Sequence, residues 1–333
     1  MEFSDEQISR AIEENNASRI RDYISLGLNV DRVLCNFEDP VPVAFTLLSY
    51  AIKEQAHDVV TELVDKKCKV DKAVKVKQVD GKYKVKVVVS EYCLECTSLY
   101  RAICTGNLDL VKLLIRAGSN VNMVDGSLCS TVWHAVDAGL YSITDVITVV
   151  PGCDINAPDK FRMAPLHVAI VHQNIKMVEL LLARGVQIQQ KQIHGATPLH
   201  LACGYTNTAL VHLLLKHGCD PNTFDDEQIT PLLKSLNVMN NRDTVYLLCN
   251  AGAKIYSKYL WRIRCGLGRL VLIDSNVRSF LLENLDIPTS LKVQCALAIK
   301  DSIRRRSMGK SICSKFERLP LPYVLIRFLK LDF

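Results

Sequence analysis

The chain has 333 residues, 49% of them apolar, and its 41 basic and 35 acidic side chains leave a net charge of +6. That length allows about two ordinary domains, and so small an excess argues only weakly for an anionic partner. Met1 to Arg10 has no apolar run of the kind a secretory signal needs. Tyr259 to Ile273 is broken by Arg262, Arg264 and Arg269, short of the roughly 20 apolar residues of a membrane span. Thirteen cysteines without a signal point to a reducing compartment, so a cytoplasmic protein is expected, with the nucleus also open. Cys203 and Cys249 stand where small apolar residues belong and read as buried thiols.

In chain order, Ala11-Ile12 opens a first helical unit, whose second helix carries Ile20, Tyr23 and Ile24. Ala51-Ile52 opens another and continues through Val59 to Leu63. Asp31 and Asp71 each follow the opening Ala by 20 residues. Pro40-Val41-Pro42 reads as a rigid loop. Thr46 and Thr97 are separated by 51 residues, 18 more than the repeat met further on, which places an insertion at about 72–91. Asp80-Gly81 there joins two alternating runs and predicts a two-residue hairpin. The turn pairs Val76 with Val85, Val74 with Val87, Lys77 with Lys84 and Lys75 with Lys86. Facing lysines repel, so the ribbon is either a solvated one that discourages edge pairing or a basic finger for an acidic partner. Tyr83 is the lone aromatic among the lysines, which disfavours nucleic acid. Cys93-Leu94-Glu95-Cys96 lacks the two further ligands of a structural zinc site.

From Thr97 the period is plain. Thr97-Ser98-Leu99-Tyr100, Thr131-Val132-Trp133-His134, Ala164-Pro165-Leu166-His167, Thr197-Pro198-Leu199-His200 and Thr230-Pro231-Leu232-Leu233 follow one another at steps of 33 or 34. Apolar helical runs follow the motifs, as at Val111–Leu114, Val178–Leu181 and Val211–Leu214. Gly118, Gly185, Gly218 and Gly252 then close helices. Asn107, Asn174, Asn207 and Asn240 are expected to cap the second helix of their units. Cys129, Arg162 and Gln228 occupy positions where a turn glycine is usual.

The T-P-L-H motif at this period resembles the ankyrin repeat. The resemblance implies an all-α solenoid of about seven units over residues 1–255, one of them carrying the β-hairpin. Single units cannot bury their apolar face alone, so stacking supplies the core. His134, His167 and His200 read as one repeated structural position, too far apart to share a metal at about 2 Å. No phosphate loop, nucleophile elbow or carboxylate pair appears, Gly266-Leu267-Gly268 lacks strand and helix context, and Arg304-Arg305-Arg306 reads as a solvated helix end. A non-catalytic adaptor is expected, with no cofactor, metal, nucleic acid or membrane. The resemblance further implies that fingertips and inner helix ends line a substrate face. Here these are Lys160, Phe161, Met163 and His172, then Ile193, His194 and Tyr205, and finally Asp226 and Glu227. Phe161 and Tyr205 are the natural anchors.

Capping or linker helices are expected over 256–285 and a small module over 286–333. Pro288-Thr289-Ser290 starts a helix whose Leu291, Cys295, Ile299 and Ile303 make one apolar stripe. Leu319-Pro320-Leu321-Pro322 opens a second, carrying Val324, Leu325, Phe328 and Leu329. An array's last element should turn a polar face outward, yet this tail is apolar. The Leu291-x-x-x-Cys295-x-x-x-Ile299 pattern resembles the Elongin-binding box of SOCS proteins, and Leu319–Pro322 resembles their cullin box. Together with the array, the chain is similar to the ankyrin repeat and SOCS box family. That resemblance implies the substrate-recognition subunit of a ubiquitin ligase. Elongin C and Elongin B would bind at Leu291, Cys295 and Ile299, and cullin-5 with its RING subunit at Leu319, Pro320, Leu321 and Pro322. The alternatives are a scaffold outside any ligase with a C-terminal capping helix, or an F-box-like adaptor that reaches cullin-1 through Skp1.

Overall fold

The computed structural model describes residues 3–36, 43–71, 73–79, 82–88, 97–205, 207–238, 241–254, 276–277 and 281. The expected C-terminal module at 286–333 therefore lies outside the described residues, as do Asp80-Gly81, Pro40–Pro42, Cys93, Cys96, Gly266–Gly268 and Asn240. The chain divides into two compact units, Met1–Lys160 and Phe161–Phe333.

The first unit holds four helical hairpins: α1 (Asp5–Glu13) with α2 (Ala17–Ser25), α3 (Leu47–Lys53) with α4 (His57–Asp65), α5 (Ser98–Cys104) with α6 (Leu108–Arg116), and α7 (Thr131–Asp137) with α8 (Tyr141–Thr148). Each hairpin packs on the next through both of its helices. Two antiparallel strand pairs are inserted: β1 (Val33–Asn36) with β2 (Val43–Thr46), and β3 (Ala73–Val79) with β4 (Lys82–Val88). The sequence reading anticipates only the second pair. Its register is the expected one, Val74 opposite Val87, Lys75 opposite Lys86, Val76 opposite Val85 and Lys77 opposite Lys84. The first pair lies on either side of residues 37–42, which are outside the described residues, with Val33 opposite Thr46 and Asn36 opposite Val43.

The second unit holds three hairpins: α9 (Pro165–Val171) with α10 (Ile175–Ala183), α11 (Pro198–Cys203) with α12 (Thr208–Lys216), and α13 (Pro231–Leu236) with α14 (Arg242–Asn250). The described helices thus form seven hairpins, four in one unit and three in the other. α9 packs on α11 and α11 on α13, while α10, α12 and α14 form the second row.

Local chemistry explains where these helices begin. Helices α3, α5, α7 and α13 start after a hydroxyl that accepts the amide three residues on: Thr46 from Ser49, Thr97 from Tyr100, Ser130 from Trp133 and Thr230 from Leu233. Such a cap satisfies an orphan donor and contributes about 1 kcal/mol. Proline at the first turn of α9, α11 and α13 presets the backbone. Second helices start after Asn16, Asn107, Asn174 and Asn207, whose side chains accept from Arg19, Leu110, Met177 and Leu210. In the last hairpin the position before the helix belongs to Asn241, not to Asn240. Asn241 is buried and donates across the repeat boundary to the Cys203 carbonyl at 3.0 Å.

Leu166, Leu181, Leu199 and Leu214 are fully buried in the second unit, and Ile12, Ile52, Ile103 and Leu114 nearly or fully so in the first. Each contributes about 2 kcal/mol of apolar burial. Polar rungs join neighbouring repeats at the far ends of the hairpins. Asp31 accepts the Lys69 amide at 2.8 Å and Asp71 the Asn120 amide at 2.9 Å, which gives the two spaced aspartates a structural role. Asn222 likewise accepts the Lys254 amide at 2.7 Å and donates its side-chain amide to the Gly252 carbonyl at 3.0 Å. Among the described residues no helix is long and apolar enough to cross a membrane.

Candidate binding face of the finger loops

Among the described residues, a finger precedes each of α7, α9, α11 and α13. In the first unit Asp125 and Cys129 close one finger, the Asp125 amide donating to the Cys129 carbonyl at 3.1 Å. The Asp125 carboxylate reinforces it by accepting the amides of Ser127 and Cys129 at 2.7 and 2.8 Å. In the second unit, Gln192 and Ala196 pair at 3.0 Å, and Asp225 and Ile229 at 3.1 Å. Asp225 again accepts from within its finger, from the Ile229 amide at 2.7 Å.

The tip of each finger turns through a left-handed residue. Gly195 has φ +72° there, and Leu128, Arg162 and Gln228 take φ of 64°, 60° and 60°. In the first unit's finger this residue is Leu128, not the Cys129 that counting by a fixed repeat period puts at the turn. Non-glycine residues in this region cost about 1 kcal/mol or more each, which the paired backbone on either side must offset.

Fingers are stitched to their neighbours by one backbone hydrogen bond per step. The Lys160 amide donates to the Ser127 carbonyl at 2.9 Å within the first unit. In the second, Ile193 donates to Phe161 at 3.0 Å, and Asp226 to His194 at 3.1 Å. Lys191 Nζ adds a bond to the Phe224 carbonyl at 2.6 Å. The structure therefore brings Phe161 beside Ile193 and His194 beside Asp226. Both apolar tips are open to solvent, Phe161 51% and Ile193 46% exposed. His194, Asp226 and Glu227 are also exposed, and Met163 is half-buried. His172 and Tyr205 stand outside this ladder. His172 ends α9 and is exposed, and Tyr205 follows the end of α11 and is half-buried. Exposed Val171, next to His172, escaped the sequence reading because its place in an apolar helical run suggests burial.

The histidines fall into two kinds. His167 and His200 sit at the third helical position, each with Nδ1 accepting the amide of its own cap residue, Ala164 or Thr197, at 3.1 Å. His200 Nε2 reaches the Ile229 carbonyl of the next finger at 3.0 Å. Both are buried neutral. Burial pulls His167 down to about 4, the backbone of Gln190 and Ala164 opposing it in part, and burial likewise lowers His200. His134 is not in this column, contrary to the sequence reading. Trp133 holds the third position of α7, and His134 falls one residue later, where Nε2 donates to Asp125 Oδ2 at 2.9 Å. The cause is a step of 34 between the caps Ser130 and Ala164, against 33 between Ala164, Thr197 and Thr230.

The cysteines described are free thiols. Burial pushes Cys203 well above the ordinary thiol value and Cys249 up to about 12, so both behave as apolar core groups.

The ankyrin repeat family matches the chain in three overlapping copies, over residues 99–192, 132–225 and 186–259. An ankyrin repeat protein of Fowlpox virus (strain NVSL) is 32% identical over 99 residues, 30% of this chain and 23% of the viral protein. The chain thus matches under a quarter of the length of that curated relative.

Proposed function

From the premise that this chain is an ankyrin-repeat protein, we propose that it is a non-catalytic protein-binding scaffold. Its target would dock on the finger ladder of the second unit. One observation carries this: Phe161 and Ile193 stand side by side on bonded fingers, both about half exposed. Aromatic and aliphatic anchors flanked by polar groups are the usual centre of an interface, and Asp226 and Glu227 supply an acidic rim. Proximity labelling in cells should lose one set of neighbours in Phe161→Ala/Ile193→Ala at matched abundance. An unchanged neighbour set would refute the assignment of this face.

A second reading rests on the C-terminal motifs. Leu291, Cys295 and Ile299, followed by Leu319-Pro320-Leu321-Pro322, suit a substrate receptor that hands its target to an Elongin B/C and cullin-5 ligase. The chain's contribution there is proximity, a raised effective concentration of target lysines. Co-expression with Elongin B and C followed by size exclusion tests it. Co-elution of the wild type that is lost in Leu291→Asp supports the receptor. A wild type that elutes alone returns the protein to the plain scaffold reading, and co-elution with Skp1 instead would favour the F-box-like adaptor.

A further inference from the structure

Asp125, Cys129 and His134 bring three unlike donor atoms together, a carboxylate oxygen, a sulfur and an imidazole nitrogen, all within 4.8 Å of one another. Asp125 and Cys129 are buried and His134 is half-buried. The arrangement is built. Amides of Ser127 and Cys129 hold Asp125 Oδ1 at 2.7 and 2.8 Å, which leaves Oδ2 aimed at His134 Nε2 at 2.9 Å. The rings of Tyr100 and Trp133 flank the imidazole edge-on, at 5.0 and 5.4 Å between centroids.

The finger fold accounts for the aspartate alone. Asp225 performs the same backbone capping in its own finger, yet Ile229 and Lys234 occupy the places of Cys129 and His134. The corresponding triplets of the other two fingers are Asp159, Met163, Val168 and Gln192, Ala196, Leu201. Stacking and finger closure therefore demand neither the thiol nor the imidazole, and only this repeat carries all three.

We propose that Asp125, Cys129 and His134 bind a single transition-metal ion of the zinc class. Carboxylate, thiolate and imidazole together suit a borderline ion, and three protein ligands leave a fourth position open to water or to a group on a partner. Binding replaces the Cys129 S–H bond by a sulfur–metal bond and releases that proton to solvent, while the neutral imidazole moves its proton from Nε2 to Nδ1, so that Nε2 offers the metal its lone pair beside the carboxylate Oδ2. Metal–ligand bonds of about 2.0–2.3 Å place ligand atoms roughly 3.3–3.8 Å apart, so Oδ2 and Nε2 must part by less than about 1 Å. The amides on Oδ1 orient the carboxylate as outer-shell donors do in known sites. Loading pins the 125–129 finger, with Leu128 exposed at its tip, to α7.

The test is cobalt titration of the full chain, stripped with chelator and kept reduced. Wild type should take up one equivalent of Co²⁺ with a thiolate-to-cobalt charge-transfer band. Cys129→Ala should abolish that band and His134→Leu should weaken binding roughly tenfold or more, whereas Cys93→Ser/Cys96→Ser should leave it intact. The first two replacements copy Ala196 and Leu201, the residues at the equivalent places of the 192–196 finger, so the fold tolerates them, and matching circular dichroism verifies this. Absence of the band in wild type, or its survival in Cys129→Ala, would overturn the site and leave an Asp–His hydrogen bond beside a buried thiol.

Discussion

Acid should unfold the second unit in a window set by His167. Its imidazole is fully buried, with folded pKa near 4 against an unfolded value of 6.5. The unfolded chain therefore takes up the proton first. The stability this residue protects is complete above pH 6.5, is lost as pH falls from there toward 4, and has no further slope below. Each unit of difference is worth 1.36 kcal/mol, so the whole loss is about 3 kcal/mol, with about 1.4 kcal/mol gone by about pH 5.5. That is a sizeable share of the roughly 5–15 kcal/mol that holds a domain together. His200 shifts in the same direction for the same reason and steepens the fall. The assay is urea denaturation of wild type and His167→Gln, followed by circular dichroism between about pH 7 and pH 4. Glutamine keeps an acceptor for the Ala164 amide but does not titrate. The variant should be less sensitive to pH by about 2–3 kcal/mol across that window. Equal slopes in the two proteins would refute the claim that His167 is held neutral by burial.

Gly195→Ala should be severe for one residue. A Cβ there would collide with Asp226 Oδ1 and lie 2.8 Å from the Asp226 amide nitrogen, at φ +72°. We expect a loss of about 1–3 kcal/mol by urea titration, with faster exchange of the Asp226 amide as its bond to His194 opens. In the first unit, Arg21 grips Glu62 through two bonds of 3.0 and 2.6 Å, and the Arg21 hydrogen bond holds the Glu62 carboxyl below its ordinary 4.5. The stability it gives is present above that value and is lost as pH falls through the depressed one, so Glu62→Gln should flatten the pH dependence only below about pH 4.5. A change confined to higher pH would contradict this assignment.

The repeat was legible because stacking fixes the distance between equivalent residues, and the caps, prolines and buried leucines all repeat with it. The β3–β4 register was legible too, since a two-residue Asp-Gly turn and strict alternation leave one pairing. Counting by a fixed period failed where the period itself changes. The single extra residue between Ser130 and Ala164 slid His134 into the column of His167 and His200, hiding both the Trp133 substitution and the company His134 keeps. Cys129 and Asn240 were misplaced by a similar one-residue ambiguity: Leu128 takes the turn, and Asn241 stands before α14, where its side chain makes no cap bond and donates to Cys203 instead. β1 and β2 escaped notice because four-residue strands carry too little alternation to be told from loop. At the candidate face the sequence located the fingertips but not their pairing, which depends on backbone bonds between residues 32 or 33 apart.

Those bonds divide the work along each finger. Asp125 and Asp225 at the base are fixed by the closing of their loops, and the histidines at the third helical position by the seams between repeats. At the tips, Phe161 and Ile193 are joined by a backbone bond that any residue could supply. Their side chains keep large apolar area in water. Burying them against a partner would recover roughly 1 kcal/mol for each half side chain, enough together for about a tenfold to thirtyfold gain in affinity. The same logic applies at the first unit's finger, where the fold requires Asp125 but not Cys129 or His134. In both places the residues that exceed what stacking demands mark where this array differs from a bare scaffold.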